Sequence, residues 1–305
     1  MADDPSDEKL VHSTAFDVKT DEVQQISPLV RRLVENNPGP FTFTGTCTYI
    51  VGRGDVAVID PGRENEAHTQ AIIDALQGER IAQIVVTHTH KDHSPGARQL
   101  AERTGAPVVG CAPFVARGGP ETGLDSAHDL TYAPARVLRD GDAVEGDGWS
   151  LVAIETPGHA SNHLCFALPQ ERSVFSGDHV MAWSTSIVAP PDGNMTDYMK
   201  SLDKMRGRED AVLWPGHGGP VMEPQRYLRA LSHHRRQREA AVVRRLEAGD
   251  ETIRDMVARI YENLDPRLVN AAALSVLAHM EDLVKRGIAI AEGPITVEGR
   301  YRRGR

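Results

Sequence analysis

The chain has 305 residues, 40% of them hydrophobic and 25% charged, the balance of a soluble globular protein long enough to bury a core without disulfides. That composition excludes collagen-like sequence and global disorder, and no apolar run approaches the roughly 18 residues needed to cross a bilayer. The net charge of −9 is uneven: residues 222–305 carry 16 Lys/Arg and 12 Asp/Glu, while residues 1–221 carry 18 and 31, an acidic body with a mildly basic tail.

At roughly 150 residues per domain, two domains are expected. The first ~20 residues read as a loose polar leader, and the opening MADDPSDE fits neither a secretory signal nor an Arg-rich transit peptide. Cys47, Cys111 and Cys165 are odd in number and widely spaced, which fits a reducing, cytoplasmic setting and no thiolate zinc site. From Leu29 the chain alternates short β-type runs with turn signals. Thr48–Val51 and Val56–Ile59 flank Gly52-Arg53-Gly54-Asp55, a hairpin signal, and Asp60-Pro61-Gly62 ends the second strand. Glu66–Leu76 has helical spacing, and Ile81–Val86 reads as a buried strand. That strand leads into Thr87-His88-Thr89-His90-Lys91-Asp92-His93, and then Ser94 and Pro95 offer the cap and first position of a helix ending at Gly105. Further strands are expected at Leu151–Ile154, Cys165–Leu168, Ser173–Phe175 and Ala211–Leu213, with a helix over Thr196–Met205. Strands mixed with helices and hairpins indicate a layered α/β or α+β domain.

The pattern changes near Glu223. Arg226–Glu247 is a long basic amphipathic helix, Thr252 caps a helix through Leu264, and Asp265-Pro266 starts helical sequence running to Arg286. Ile288–Ala291 and Ile295–Tyr301 then read as two short strands, the outline of a winged-helix module. The domains are therefore expected at 1–224, catalytic, and 225–305, linking helix and winged helix.

His88, His90, Asp92 and His93 place four metal-binding side chains within six residues. Imidazole and carboxylate suit zinc and other first-row metals, and two ligand pairs so close suit two neighbouring ions. His159, Asp178 and His217 each follow a glycine at an expected strand end, where the backbone can turn sharply and leave a ligand at a rim. His163 and His179 are candidates for supporting or substrate-facing roles. His12, His68, His128, His233, His234 and His279 read as solvated or helix-surface residues.

The order HxHxDH, His, Asp, His resembles the metallo-β-lactamase fold superfamily, whose fold is a four-layer αβ/βα sandwich with a dinuclear metal site at one edge. The resemblance implies an α+β catalytic domain of that kind. It implies that His88, His90 and His159 hold one Zn2+, that Asp92, His93 and His217 hold a second, and that Asp178 bridges them; Mn2+ or Fe2+ would suit the same set. A β-lactamase of the commonest zinc class has cysteine where this chain has Asp178, which points away from β-lactam hydrolysis.

Asn37-Pro38-Gly39-Pro40, Gly45-Thr46-Cys47-Thr48-Tyr49, Ile59-Asp60-Pro61-Gly62, Tyr198-Met199-Lys200-Ser201-Leu202 and Pro215-Gly216-His217-Gly218 resemble the β-lactamase-like protein 2 family. So does the tail Thr252–Ile290, which is similar to its winged helix. That resemblance implies a metal-dependent endoribonuclease acting on single-stranded RNA. Cys47 and His179 depart from the family pattern, and both are expected near the substrate side.

In such a site two ions lower the pKa of a shared water, giving hydroxide as nucleophile. Asp92 is expected to orient it, and His179 to protonate the leaving group. Asp60 is expected to support the metal loop. Arg226, Arg229, Arg235, Arg236, Arg238, Arg300, Arg302, Arg303 and Arg305 are candidate phosphate contacts, and Tyr198, Tyr227 and Trp183 candidate stacking residues. The same ligand set also fits a glyoxalase-II-like or acyl thioester hydrolase, and the winged helix alone would fit a non-enzymatic nucleic-acid binder. Expected partners are thus substrate RNA or a small thioester, with no membrane and with a homodimer left open.

Overall fold

The computed structural model describes residues 9–116, 127–262 and 264–304. The opening MADDPSDE and the terminal Arg305 lie outside the described residues.

A seven-stranded sheet takes the strands β1 (Gln24–Gln25), β2 (Val30–Val34), β3 (Cys47–Arg53), β4 (Asp55–Ile59), β5 (Arg80–Val86), β6 (Val108–Gly110) and β7 (Arg136–Val137) in chain order. It is antiparallel from β1 to β4 and parallel from β4 to β7. The parallel half is connected by α1 (Glu66–Leu76) and α2 (Pro95–Thr104), as parallel pairing requires a crossover. A five-stranded sheet runs β12 (Val212–Pro215), β11 (Ser173–Gly177), β10 (Leu164–Leu168), β9 (Trp149–Glu155), β8 (Ala143–Gly146).

The strand period of two explains the layering. On β10, Leu164, Phe166 and Leu168 join the core shared with the first sheet and with Ile72 and Leu100 of α1 and α2. Cys165 and Ala167 face the other way, into a second cluster with Tyr198, Leu202 and Met205 of α3 (Met195–Arg206) and Leu228 and Leu231 of α4 (Pro224–Glu247). The result is the expected four-layer αβ/βα sandwich, α+β in class. Between the sheets, the Tyr49 and Phe175 rings meet at 5.0 Å, and Trp149 Nε1 donates to the Asp55 carbonyl at 2.8 Å.

The far half of α4 leaves the sandwich: Val242 and Leu246 enter a third cluster with α5 (Ile253–Ile260), α6 (Val269–Lys285) and the hairpin β13 (Ala289–Ala291)–β14 (Tyr301–Arg303). This is the expected winged helix. Thr252 caps α5 through the Asp255 amide, as its residue type and position lead one to expect.

Three expectations fail locally, the first being that α5 stops at Ile260, short of the expected Leu264. The last strand is Tyr301–Arg303, and most of Ile295–Tyr301 is turn, because the Tyr301 hydroxyl folds back to the Thr296 amide and carbonyl. Ser94 makes no cap bond; its backbone is already helical, at φ −98° and ψ −33°, and its hydroxyl turns to Asp129 at 3.3 Å. Among the described residues, no helix is long and apolar enough to cross a membrane.

Candidate metal centre

The histidine-rich segment leaves the carboxyl end of β5, and the second sheet delivers three more side chains to the same edge. His159 follows β9, Asp178 follows β11 and His217 follows β12. The glycine before each is needed for shape. A Cβ on Gly158, at φ +140°, would fall on the Tyr198 backbone. One on Gly216 would lie 2.5 Å from Asp178 Oδ1 and 2.8 Å from His93 Cε1.

All seven expected ligands converge. His90 Nδ1 lies 3.0 Å from His88 Nε2 and 3.1 Å from His159 Nε2. His217 Nε2 lies 3.3 Å from His93 Nε2 and from Asp92 Oδ2. Asp178 spans the two groups: Oδ2 is 3.5 Å from His159 Nε2, while Oδ1 is 3.5 Å from His93 Nε2 and 3.4 Å from His217 Nε2. Ligands about 2.05 Å from a tetrahedral ion would stand about 3.3 Å apart, so these spacings fit two such sites. Asp178 Oδ1 is buried and makes no well-formed hydrogen bond among the described residues, facing only the His93 and His217 imidazoles, so it is open to a cation.

The ring orientations are set from behind. His93 Nδ1 donates to Asp60 Oδ2 at 3.0 Å, His159 Nδ1 to the Ile187 carbonyl at 2.6 Å and His217 Nδ1 to the Gly45 carbonyl at 3.2 Å. His88 Nδ1 donates to Thr87 Oγ1, which donates to Asp60 Oδ2 at 2.7 Å. Each bond leaves a bare Nε2 aimed at the centre. Asp60 also accepts the Thr87 amide, and it sits at φ +48°, a strained backbone for a non-glycine. It lies close enough to His88 and His93 to suggest a third ligand group, but its oxygens are already committed to donors behind the cluster. His163 plays a similar part: its Nε2 accepts the Asp178 amide at 3.1 Å.

The electrostatics separate the two groups. Burial, reinforced by neighbouring histidines, holds His88 well below the usual imidazole range and His90 at about 3. At His93 burial works against protonation, but Asp92, Asp178 and Asp60 outweigh it and lift the ring to about 9; Asp178 and Asp92 raise His217 likewise. Burial would raise both Asp92 and Asp178, yet the facing histidines hold both low. Positive charge is therefore stabilised beside Asp92 and Asp178, and neutral imidazoles are presented beside His159.

His179 does not fit its expected role. Its ring is fully buried, packed 5.0 Å from Tyr198, with neither nitrogen hydrogen-bonded among the described residues, and burial holds it at about 3. A ring sealed from solvent is out of reach of a leaving group, and kept neutral it is too weak an acid to protonate one. Cys47 is likewise buried beneath the His217 turn, its amide on the Gly216 carbonyl, so neither departure from the family pattern faces substrate. Tyr198 is core and cannot stack a base. His68, His128 and His279 are buried rather than solvated; His128 stacks on Phe114 at 3.8 Å and contacts Asp192 at 3.3 Å. Isolated histidines carry no sequence signal that separates these cases.

A cluster of five histidines and two carboxylates that could hold metal ions, at the strand-end edge of a four-layer sandwich, is the arrangement of a metallohydrolase. The chain belongs to the metallo-beta-lactamase superfamily, which it matches over residues 41–217, and residues 252–295 match the beta-lactamase associated winged helix domain. It is similar to a beta-lactamase-like protein 2 homolog of Caenorhabditis elegans, 28% identical over 87% of this chain and 88% of that protein. It is also similar to the atrochrysone carboxyl ACP thioesterase AgnL7 of Paecilomyces divaricatus, 33% identical over 66% of this chain and 59% of that protein. A beta-lactamase domain protein from Burkholderia ambifaria shares the fold with a TM-score of 0.79 at 23% identity, each chain covered to 99%. A metallo-beta-lactamase family protein from Thermus thermophilus does so at 0.74 and 24%, over 92% of this chain and all of that one.

Proposed function

We propose that the chain is a dinuclear metal-dependent hydrolase of acyl thioesters. His88, His90 and His159 would hold one ion, Asp92, His93 and His217 the other, with Asp178 between them; zinc suits this donor set, and manganese or iron could occupy it. Two such ions lower the pKa of a bound water toward neutrality and polarise a scissile carbonyl. The protein's own groups do the rest. Asp92, whose side chain is 26% exposed, reaches solvent and would orient the attacking water. Asp60, Ile187 and Gly45 fix the imidazoles before substrate arrives, so little reorganisation is left for the reaction.

The observation that carries the substrate reading is the state of the basic tail. Arg254, Arg286, Arg300, Arg302 and Arg303 are paired with Glu298, Glu239, Glu251, Glu292 and Glu247. The tail keeps its net positive charge, but these five arginines are each held by a glutamate and are less available to a polynucleotide backbone. A second reading, cleavage of single-stranded RNA, draws on Arg229, Arg236 and Arg244, which are exposed along α4 and have no acidic partner among the described residues.

The test compares turnover of an acyl thioester and of a labelled single-stranded RNA by metal-loaded protein, with Asp178→Ala beside wild type. Thioester hydrolysis lost in the variant supports the reading. RNA cleavage without thioester hydrolysis overturns it in favour of the second.

A further inference from the structure

Loop 181–187 has two faces. One holds the metal centre: the Ile187 carbonyl orients His159. The other closes a cavity of about 320 Å³ against α4 and the winged helix. Trp183, Ile187, Arg235, Arg238, Tyr261 and His279 are among its walls. No Asp or Glu among the described residues lines it.

Its arginines face rings and carbonyls but no carboxylate among the described residues. Arg235 is only 4% exposed; its guanidinium lies over the Tyr198 ring at 4.9 Å and donates from Nη2 to the Ser186 carbonyl, and its Nε is buried with no partner among the described residues. Arg238 lies over the Tyr261 ring at 4.7 Å and donates to His234 Nε2 at 3.3 Å. Neither arginine has an acidic partner among the described residues. His279, 2% exposed, forms no hydrogen bond with them through its ring, and its Nδ1 is buried and unsatisfied. Burial, then the two arginines, push His234 to about 4; burial, then Arg235, take His279 to about 3. Buried guanidinium without a counter-charge is expensive, and a bound anion offsets that cost.

We propose that this cavity is a phosphate subsite, taking a phosphate ester carried by the substrate on the far side of the loop whose Ile187 carbonyl supports a metal ligand. The guanidinium fork suits phosphate oxygens, and Trp183 and Tyr261 offer flat surfaces to a group attached to it. The assignment builds on the hydrolase reading above. A phosphate of this kind comes either with a coenzyme-A-type thioester or with a short RNA.

The experiment uses zinc-loaded full chain. Inorganic phosphate, coenzyme A and a 5′-phosphorylated hexaribonucleotide are titrated against tryptophan fluorescence, with Trp183→Phe to assign the signal. The KM values of a coenzyme A thioester and of the phosphate-free N-acetylcysteamine thioester of the same acid are then compared in wild type, Arg238→Met and the charge-keeping Arg235→Lys. The expected result is quenching by coenzyme A, weakened about tenfold in Arg238→Met and less in Arg235→Lys, a matching rise in KM for the coenzyme A thioester, and an unchanged KM for the other. Quenching by the hexaribonucleotide alone would keep the subsite and name RNA as the source of the phosphate. Equal KM changes for both thioesters, or binding indifferent to Arg238→Met, overturns the subsite and leaves the thioesterase reading standing. Binding that Arg238→Met weakens, with no thioester turnover by wild type, keeps the subsite and removes that reading.

Discussion

Asp60→Asn exchanges one carboxylate oxygen for an NH2 and should loosen metal binding without touching a proposed ligand. Asp60 Oδ1 accepts the Thr87 amide at 2.8 Å, and Oδ2 accepts Thr87 Oγ1 at 2.7 Å and His93 Nδ1 at 3.0 Å. An asparagine has one acceptor for these three donors. With its NH2 toward Thr87 N, two donors face each other in a buried site, at a cost of about 1–3 kcal/mol. With its NH2 toward His93, the ring must present a bare Nδ1, moving its proton to Nε2, which then points at Asp92, Asp178 and His217 in place of a lone pair. Either way the His93 site is spoiled. Loss of such a supporting bond weakens metal affinity about 10–100-fold, or about 1.4–2.7 kcal/mol. The assay is metal content against a graded chelator series, with nitrogen NMR to read the His93 tautomer. Wild-type affinity for both ions in Asp60→Asn, with His93 still protonated on Nδ1, would refute the reasoning.

Gly216→Ala tests the close approach at the centre: its Cβ would press on Asp178 Oδ1 and His93 Cε1, so the variant should keep its circular dichroism and lose bound metal, and full metal content would contradict the geometry. Glu281 gives a pH effect remote from the metals. Burial raises its carboxyl to about 7. A carboxyl raised on folding favours the native state when protonated, so its destabilisation appears as pH climbs from about 4.5, its value in the unfolded chain, to about 7. The shift corresponds to about 3 kcal/mol, and screening at a half-buried position reduces it to about 1. Glu281→Gln should therefore match wild type near pH 4.5 and exceed it by about 2–4 °C in Tm at pH 8; equal melting at both pH values would show that burial does not govern this group.

Much of the fold is readable because its strands and helices carry local signals. Glu66–Leu76 is a helix over just the residues its spacing marks, and Asn65 and Thr252 are caps that do what their residue type allows. What escapes is pairing without a local signal. The short strands β7 and β8 hold their places through the sheet, not through their own sequence. Ile295–Tyr301 has strand-like composition, yet a single tyrosine hydroxyl turning back on Thr296 makes it a turn.

The clustering of the seven expected ligands was legible for a different reason: metal-binding side chains come from few residue types, and glycines precede those that the second sheet delivers. Its supports were partly hidden, since the carbonyls of Ile187 and Gly45 act through backbone atoms that any residue would supply. Charge was the most misleading signal. Counting along the chain gives a basic tail and keeps its net charge, but it does not show that long-range pairs such as Arg254–Glu298 and Arg303–Glu247, 44 and 56 residues apart, occupy several of its arginines. Arg235 and Arg238 stand in the same run of helix arginines as Arg229 and Arg236, yet only the fold sets them in the wall of a cavity with no carboxylate among the described residues. A guanidinium acts on a substrate only where the fold denies it a carboxylate. The places to seek substrate contacts are therefore the arginines left unpaired, beside the metal-ligand loop and on the open face of α4, and the wing carries less of that role.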